Sequence, residues 1–433
     1  MAMVSLVLAL AAALAGCGSK GSNSDWLWAV NIGGPAYKAV DGTQYRADSS
    51  VTGGNTDELE TIKGSQDAFL YKSYREGDIK VVHPLVNGVY DITLHFAEPE
   101  QRAPGERVFD VIAEGQRVIN DLDVMRFRDA KVMSALTVTV PNINVTDGEL
   151  NIEFDASVGE PLLSALVVRR QTRAEHEWQL VWADEFEGPE LDSAKWSIDE
   201  WSARKVNDED QAYTARPENL RVEDGLLVIE ARKEDYAGAA YTSGRVHSAG
   251  KGDVLYGRVE VRARLPAGRG TWSAIWMLPS DPYRYATTCE DGEDWQGSQT
   301  CDAWPNSGEI DIMEHVGHQV GHIHGTVHTQ AYYWVKWEQR KGRILPADVI
   351  STFHVYALEW TPERIDMFVD DSLYFTYVNE HDGWQSWPFD QPFHLVMNVA
   401  VGGWWGRSGG GIDADVFPQR MLVDYARVYQ RVR

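Results

Sequence analysis

Apolar and polar residues alternate with a period of two along several short segments of the chain, and almost no segment shows the period of an amphipathic helix. The clearest case is residues 255–265, LYGRVEVRARL. An extended strand places alternate side chains on opposite faces, so this pattern predicts a half-buried strand. Its predicted buried face consists of Leu255, Gly257, Val259, Val261 and Ala263.

Turn residues separate further segments of this kind. The segment RIDMFVDDSLYFTY predicts a hairpin that turns at Asp370, Asp371 and Ser372, and HLVMNVAV and LVDYARVY predict two more strands. Many short strands with turn signals between them are typical of β-sandwiches. We therefore expect an all-β fold.

One predicted strand carries an unusual group of acids. The segment GEIDIMEHVG, residues 308–317, contains Glu309, Asp311 and Glu314 among largely apolar neighbours. Glu309 and Asp311 share a strand face, whereas Glu314 joins them only if Met313 occupies a β-bulge. Four strand steps of about 3.3 Å and two inward-leaning side chains then leave ~5 Å between the outer carboxyls. This matches the roughly 5–5.5 Å of a retaining glycosidase.

Three carboxylates on one face repel one another, which raises the pKa of at least one. A carboxyl that stays protonated near neutrality can act as a general acid while another remains ionised and attacks. The central Asp311 would tune the pair by sharing a proton. Calcium binding and a solvated strand face are the alternatives, since calcium prefers oxygen ligands.

The composition limits the classes of partner that the protein can bind. The 433 residues carry a formal net charge of -25, which argues against nucleic acid or an anionic polymer and favours a neutral ligand. Length and the 43% hydrophobic content allow two sizeable domains. Fifteen of the seventeen Trp residues follow residue 177, and the polar run RRQTRAEHE at 169–177 separates the Trp-poor part from the Trp-rich part.

The N-terminus is typical of an export signal. Residues 4–16 are apolar or small and too few to span a bilayer stably, and Leu14-Ala15-Gly16-Cys17 resembles a bacterial lipobox, although no Lys or Arg precedes it. This resemblance implies a signal peptide at 1–16, lipidation of Cys17 and a flexible tether at 17–25. The alternatives are a plain cleaved signal peptide or an ordinary tail.

An exported protein meets an oxidising compartment, so we expect a disulfide between Cys289 and Cys301, worth roughly 3 kcal/mol, with two free thiols as the alternative.

The motif GEIDIMEHVG also resembles the active site of glycoside hydrolase family 16, in the laminarinase-like form with one extra residue. Segments in the same order resemble that family over residues 178–433: LVWADEFEGPELDSAKW, GTWSAIWMLP, AVGGWWG and MLVDYARVYQ. The resemblance implies a jelly-roll sandwich with a glycan cleft. It makes Glu309 the nucleophile, Glu314 the acid/base and Asp311 the assisting carboxylate.

The resemblance extends to ligand contacts. It implies substrate contacts at Trp272, Trp276, His328, Asn207, Gln211, Arg245 and Trp404, with core packing as the alternative for the cleft tryptophans. Many members hold a structural calcium, whose position corresponds to Glu185, the backbone of Gly225 and Asp424; solvated acids are the alternative there. His322, His324 and His328 could share a strand face, but their spacing lacks a helical zinc motif.

Residues 26–170 resemble a malectin-like domain, a β-sandwich that binds glucose-containing sugars in its best-known members. The resemblance is carried by VNIGG, DGTQYRAD, NGVYDITLHFAE, GERVFDV and the segment VTDGELNIEFDASVGEPLLSALVV. An aromatic pair that animal members carry is replaced here by Pro99-Glu100-Gln101. Tyr71 and Tyr74 could stack on a sugar or serve the core. Residues 171–177 would link the two sandwiches.

These observations predict a monomeric, surface-anchored endo-β-1,3-glucanase of the exported lipoprotein class, with secretion as the alternative. The chemistry requires no cofactor. Three functional alternatives remain: a glycan-binding lipoprotein without turnover, a mixed-linkage glucanase and an agar-type galactanase. The presence of both Glu309 and Glu314 favours an enzyme.

Overall fold

The computed structural model describes residues 27–48, 50–128, 131–171 and 178–432. The predicted signal peptide, Cys17, the tether and residues 172–177 of the predicted linker lie outside these ranges. Among the described residues, none of the helices combines the length and apolarity needed to cross a bilayer.

Residues 27–170 form a β-sandwich. Its larger sheets have the strand orders β11-β8-β14-β1-β3-β2 and β10-β9-β12-β7-β4, and β13, β6 and β5 form a small third sheet. Side chains two residues apart on one strand, Ile92, Leu94 and Phe96, pack into its core. The strands are β1 Leu27–Asn31, β2 Tyr37–Lys38, β3 Gln44–Ala47, β4 Val51–Thr52, β5 Asn55–Glu58, β6 Ser73–Glu76, β7 Lys80–Pro84, β8 Gly88–Phe96, β9 Val108–Ala113, β10 Gln116–Leu122, β11 Leu136–Val145, β12 Glu149–Val158, β13 Leu162–Leu163 and β14 Ala165–Arg170.

Residues 178–432 form a second sandwich, a jelly roll. One sheet has the order β16-β21-β30-β23-β24-β25-β26, and the other has the order β17-β20-β19-β31-β22-β27-β28-β29, with β15 beside β31 and β18 beside β19. The strands are β15 Trp178–Asp184, β16 Ser197–Ile198, β17 Gln211–Tyr213, β18 Leu220–Glu223, β19 Leu226–Tyr236, β20 Ala239–Ser243, β21 Arg245–His247, β22 Gly257–Arg264, β23 Thr271–Pro279, β24 Glu309–Val316, β25 Ile323–His328, β26 Arg340–Ile344, β27 His354–Trp360, β28 Arg364–Val369, β29 Ser372–Val378, β30 Phe393–Val401 and β31 Gln419–Arg431.

Helical structure is sparse among the described residues. Three α-helices of four residues each occur, α1 Val124–Phe127, α2 Ala303–Asn306 and α3 Gly403–Gly406, together with 3-10 turns at Ala68–Tyr71 and Trp334–Lys336. The all-β expectation is confirmed.

The strand predictions are confirmed with two corrections. The alternation of β22 buries Val259, Val261 and Ala263, but Leu255 is exposed and precedes the strand. A positive φ of 61° at Tyr256 interrupts the extended backbone there. The predicted hairpin joins β28 to β29, and its turn is shorter than expected because Ser372 already belongs to β29.

The two sandwiches share a sheet. Strand β11 of the first pairs in parallel with β26 of the second through Thr139 and Ile344, and the Leu345 amide donates to the Thr139 carbonyl at 3.0 Å. A continuous sheet of thirteen strands therefore runs through both units. Nearby, the guanidinium of Arg343 lies 4.5 Å from the ring centre of Phe127.

Cys289 and Cys301 form a disulfide with their Cα atoms 4.9 Å apart. The bond closes a loop in the segment between β23 and β24, immediately before α2. This segment reaches the start of the acidic strand β24, so the disulfide lies in the part of the chain that leads into the candidate site.

Candidate active site

Strand β24 contains the bulge that the sequence predicts. Along the β24–β25 pair, Asp311 lies opposite Thr326 and Glu314 lies opposite His324, so two residues face the single Gly325. These two residues, Ile312 and Met313, are both buried in the core. The bulge thus turns both apolar side chains inward and leaves Glu314 free to share a face with Glu309 and Asp311. We call this surface of the first jelly-roll sheet the acidic face.

Each outer carboxyl of the acidic face accepts a hydrogen bond from an indole. Trp304 of α2 donates from Nε1 to Oε2 of Glu309 at 3.0 Å. Trp272 of β23 donates from Nε1 to Oε1 of Glu314, also at 3.0 Å. These donors fix the orientations of the two carboxyls from different elements.

His328 lies beside the first two acids. Its Nε2 is 3.8 Å from Oε1 of Glu309 and 3.5 Å from Oδ2 of Asp311. Burial lowers the pKa of His328 to about 3, so the ring is neutral near pH 7. It can therefore contribute a hydrogen bond without bringing a positive charge.

Burial raises the pKa of all three acids. The pKa of Glu309 rises to about 8, first through burial and then through the charge of Glu314. Burial raises the pKa of Glu314 to about 7, although the charge of Lys341 and the Trp272 hydrogen bond oppose the change. The pKa of Asp311 is raised well above its usual value by burial and by Glu309, with which it shares a hydrogen bond. The three groups titrate together, so a retained proton belongs to the set.

His322, which precedes β25, and His324 of β25 pack against aromatic rings. His322 stacks against Phe127 with ring centres 4.8 Å apart, and His324 lies edge-on to Trp405 at 4.9 Å. Among the described residues, Glu309, Asp311 and His328 are the one group of His, Cys, Asp and Glu side chains placed to hold a cation. Burial favours the protonated forms of these two carboxyls, and a cation would have to displace such a proton.

Two of the expected substrate contacts stack beside the acidic face. The guanidinium of Arg245 lies 4.8 Å from the ring centre of Trp276 and 4.3 Å from that of Trp201. Trp276 also donates from Nε1 to Oδ1 of Asn398 at 2.8 Å. Arg245 is largely buried and donates to Asp199 at 2.8 Å. These contacts hold the ring of Trp276 in place.

The expectation for Gln211 needs correction. Its side chain is buried, donates to Glu209 at 2.7 Å and accepts the Val401 amide at 2.7 Å. Both ends of the amide are therefore engaged within the protein and cannot face a substrate. Asn207 is exposed and donates to Glu209 at 3.2 Å, so Glu209 connects the two residues.

Sequence reasoning missed three residues that act on the acids or pack against the side chains around them. They are Trp304, Trp405 and Lys341. Trp304 precedes Glu309 by only five residues, and Trp405 is adjacent to the expected Trp404. Their closeness in sequence to predicted site residues could have identified both. Nothing near Lys341 in the sequence could have identified it, because it reaches the site through the pairing of β26 with β25, where it lies opposite Thr326. Its ammonium is 4.9 Å from the ring centre of Trp405.

The two carboxylates expected to bind calcium pair with arginines in the structure, and the calcium site stays a prediction. Glu185 accepts two hydrogen bonds from Arg427, at 2.8 and 2.7 Å, and Asp424 pairs with Arg262. Gly225 lies in the exposed turn between β18 and β19. Each carboxylate that would supply the negative charge is thus already neutralised by an arginine.

Both tyrosines named in the first sandwich belong to its core, the second of the two roles left open for them. Tyr71 and Tyr74 are 2% and 5% exposed. The Tyr71 hydroxyl lies 2.9 Å from Nδ1 of His95 and 2.7 Å from Oγ1 of Thr137, and the Tyr74 hydroxyl donates to Asp57 at 3.4 Å. Both side chains are therefore engaged mainly within the protein.

Comparison with known proteins gives two family matches. Residues 207–427 match the family described as Glycosyl hydrolases family 16, and residues 26–166 match the Malectin domain. A β-glucanase of Rhodothermus marinus is 50% identical over 270 residues, which are 61% of this chain and 88% of that protein.

Two solved structures are also similar to this chain. The X-ray structure of the laminarinase from Rhodothermus marinus has a TM-score of 0.54 at 50% identity and covers 60% of this chain and all of that one. The structure of SCLam, a non-specific endo-β-1,3(4)-glucanase, has a TM-score of 0.52 at 45% identity and covers 59% of this chain and 92% of that one.

Proposed function

The chain belongs to the glycosyl hydrolases family 16, and from this premise we propose that it is an endo-acting hydrolase of β-1,3-glucan that retains the anomeric configuration. The observation that carries the proposal is the placement of Glu309 and Glu314 on one face of β24, each held by an indole donor. The laminarinase and β-glucanase relatives support the same substrate class.

The proposed reaction has two steps. In the first, the Glu309 carboxylate attacks the anomeric carbon while Glu314 gives its proton to the departing sugar oxygen, so a glycosyl ester forms as the glycosidic bond breaks. In the second, Glu314 takes a proton from water, the oxygen of which attacks the anomeric carbon and releases Glu309. The proton returns to Glu314, and no cofactor is consumed.

The surrounding residues support these roles. The Trp304 hydrogen bond lowers the pKa of Glu309 against the effect of burial, which favours the ionised nucleophile. Asp311 shares a hydrogen bond with Glu309 and can take up the proton as the nucleophile ionises. Burial of Glu314 favours its protonated form, as the first step requires.

Activity on mixed-linkage glucan is a second candidate, because SCLam is similar and is a non-specific endo-β-1,3(4)-glucanase. Laminarin, lichenan, agarose and carrageenan should be compared side by side, with Glu309→Gln protein as the matched inactive control. We expect oligosaccharides from laminarin, fewer from lichenan and none from the galactans. Release from agarose but not laminarin would contradict the proposal.

The stereochemistry is tested separately. Proton NMR during the first minutes of laminarin hydrolysis should show the β-anomer forming first, before mutarotation. A first-formed α-anomer would contradict retention and the assigned roles of both glutamates.

The cellular context is part of the same proposal. An exported, monomeric lipoprotein anchored through Cys17 would meet polysaccharide at the cell surface, and the Cys289–Cys301 disulfide suits an oxidising compartment. Metabolic labelling with a palmitate analogue, compared between the wild type and Cys17→Ala, tests the anchor. Equal labelling of both proteins would contradict it.

A further inference from the structure

The segment that joins β25 to β26, residues 329–339, connects the acidic face to the first sandwich. It follows directly after His328, whose ring centre lies 5.8 Å from that of Trp304. Tyr333 of this segment also packs edge-on against Trp304, with ring centres 5.7 Å apart. Because Trp304 donates its hydrogen bond to Glu309, the position of the segment bears on the proposed nucleophile. We call residues 329–339 the connecting segment.

One glutamine of the first sandwich reaches the start of the connecting segment. Gln66 donates from Nε2 to the Val378 carbonyl and to Oε1 of Glu380, both at 2.9 Å, and its Oε1 accepts the Val378 amide at 3.1 Å. The other carboxylate oxygen of Glu380 accepts a hydrogen bond from the Tyr332 hydroxyl at 2.6 Å. Glu380 thus links Gln66 to the residue next to Tyr333.

Two further contacts hold the far end of the connecting segment. The Gly64 amide donates to Oε2 of Glu338 at 3.1 Å, and the ammonium of Lys131 lies over the ring of Trp337. The pairing of β11 with β26 fixes the first sandwich against the second, so these contacts are made from a defined position. The first sandwich therefore holds the connecting segment near both of its ends.

The surroundings of Glu309 make its ionisation sensitive to Trp304. Burial and the charge of Glu314 raise the pKa of Glu309, and the Trp304 hydrogen bond opposes them. The charged and titratable groups that act on Glu309 or on its two neighbouring acids are Asp311 and Glu314 of β24, His328 of β25, Arg245 of β21 and Lys341 of β26. All of them lie outside the connecting segment and the first sandwich. A displacement of Trp304 therefore changes the pKa of Glu309 without removing any of these charges.

We propose that the first sandwich positions the proposed nucleophile: Gln66 is a positioning residue that, through Glu380 and the connecting segment, keeps the indole of Trp304 on Glu309. The malectin-type domain is then a structural support of the active site in addition to any binding of its own. This inference rests on the proposed function for the role of Glu309, but the placement of Trp304 can be measured without turnover.

The kinetic test is the pH dependence of Gln66→Ala. We expect kcat/KM on laminarin to fall about 3- to 10-fold at pH 6, the scale of one net hydrogen bond. The loss should shrink as pH rises, because Glu309 ionises in every variant once the pH is high enough. A loss of folded protein alone would lower the rate by a similar factor across the pH range. Lys131→Ala removes a second contact with the connecting segment and should move the acidic limb in the same direction, also if Gln66→Ala does not fold.

Gln171→Ala is the matched control, because Gln171 also joins the two sandwiches. Its Nε2 donates at 2.6, 3.1 and 3.1 Å to Asp91, Asn142 and Ser372. The last of these begins β29, at the opposite end of that strand from the contact with Gln66. This variant weakens the same interface away from the connecting segment, so its acidic limb should stay in place. An equal shift in Gln171→Ala, or an unmoved limb in Gln66→Ala, would overturn the inference.

The indole N–H of Trp304 gives a readout that does not depend on activity. In NMR spectra of protein with isotope-labelled tryptophan, the indole signal that disappears in Trp304→Phe identifies Trp304. This signal should shift, and its proton should exchange faster with water, in Gln66→Ala but not in Gln171→Ala. An unchanged signal in Gln66→Ala would overturn the inference whatever the substrate is. A wild type that keeps this hydrogen bond but does not hydrolyse laminarin would contradict the proposed function alone.

Discussion

Trp304 donates a hydrogen bond from its indole nitrogen to Oε2 of Glu309 at 3.0 Å. Trp304 belongs to α2, at the end of the segment that contains the disulfide, whereas Glu309 begins β24. A surface segment thereby orients the proposed nucleophile. The hydrogen bond from Trp304 favours the ionised form of Glu309, whereas burial favours its neutral form.

Replacing Trp304 with Phe should shift the acidic limb of the pH–activity profile to higher pH. The hydrogen bond lowers the pKa of Glu309, so its loss raises that pKa, and the nucleophile ionises only at higher pH. We expect kcat/KM on laminarin to fall about 10- to 100-fold at pH 6, since hydrogen bonds to charged groups contribute about 1.5–3 kcal/mol. Trp201→Phe is a control, because Trp201 contacts Arg245 and not the carboxyl. An unmoved acidic limb would contradict this role.

Glu309→Gln should abolish turnover and stabilise the protein at alkaline pH. The pKa of Glu309 rises from 4.5 to about 8 on folding, so between these values the native state binds more protons than the unfolded state. The free energy of unfolding of the wild type therefore falls as pH rises through this window. Glutamine does not ionise, so the variant does not lose this part of its stability.

Thermal melts of both proteins at pH 4.5 and pH 8.5 check the effect. The variant should gain in Tm relative to the wild type only at the higher pH, by roughly 2–4 °C for each kcal/mol. A gain of equal size at both pH values would show that titration of Glu309 is not its cause.

Glu314→Ala should be partly rescued by azide. Without the general acid, substrates with good leaving groups still form the glycosyl ester, but no base then activates water. Azide is a small anion that needs no such base and should yield a β-glycosyl azide. The measurement is the rate on an activated aryl glucoside with and without azide; Glu309→Ala under the same conditions is the control, and an equal response of both variants would contradict the assignment.

Deleting Met313 should leave a folded protein with reduced activity. The remaining EIDIEH has regular two-residue spacing, so all three acids keep their face, but the fully buried Met313 side chain is lost and His315 moves along the strand. We expect activity on laminarin to fall about 10- to 1000-fold, because a displacement near 1 Å can lower rates about 100-fold.

Insertion of one alanine after Met313 is the matched comparison for this deletion. It should turn Glu314 toward the core and abolish activity. Thermal melts of both variants establish that each one folds. Equal activity of the insertion and the deletion would mean that the bulge does not set the direction of Glu314.

The two sandwiches should unfold in one transition. The pairing of β11 with β26 makes one sheet continuous through both, and Arg343 of the second sandwich donates to the carbonyl of Phe127 in the first. Phe127→Ala should lower the free energy of unfolding by about 3 kcal/mol, a typical loss for a buried Phe, and separate the two transitions in calorimetry. Phe69→Ala, which changes an exposed Phe of the first sandwich, is the control. Two transitions in the wild type would contradict the coupling.

The sequence predicted features that depend on geometry within one strand. Alternation identified the buried face of β22, and the spacing of Glu309, Asp311 and Glu314 required a bulge that the structure contains at Ile312 and Met313. The alternation and the turn signals predicted an all-β fold, and the resemblance to a family supplied the jelly-roll topology, because an ordered set of motifs specifies a topology that no single motif does. These conclusions hold because the direction of a side chain along a strand is set by local backbone geometry.

Only the tertiary structure decided which distant residues meet. The approach of Lys341 to the acids depends on the pairing of β26 with β25, and the Trp334–Trp404 contact depends on two segments that leave opposite ends of a sheet. The tertiary structure likewise decided that Gln211 and Tyr71 are each only 2% exposed. Strand order and register depend on the packing of the whole sandwich, and the period of a segment shows which way its side chains point without showing what they meet.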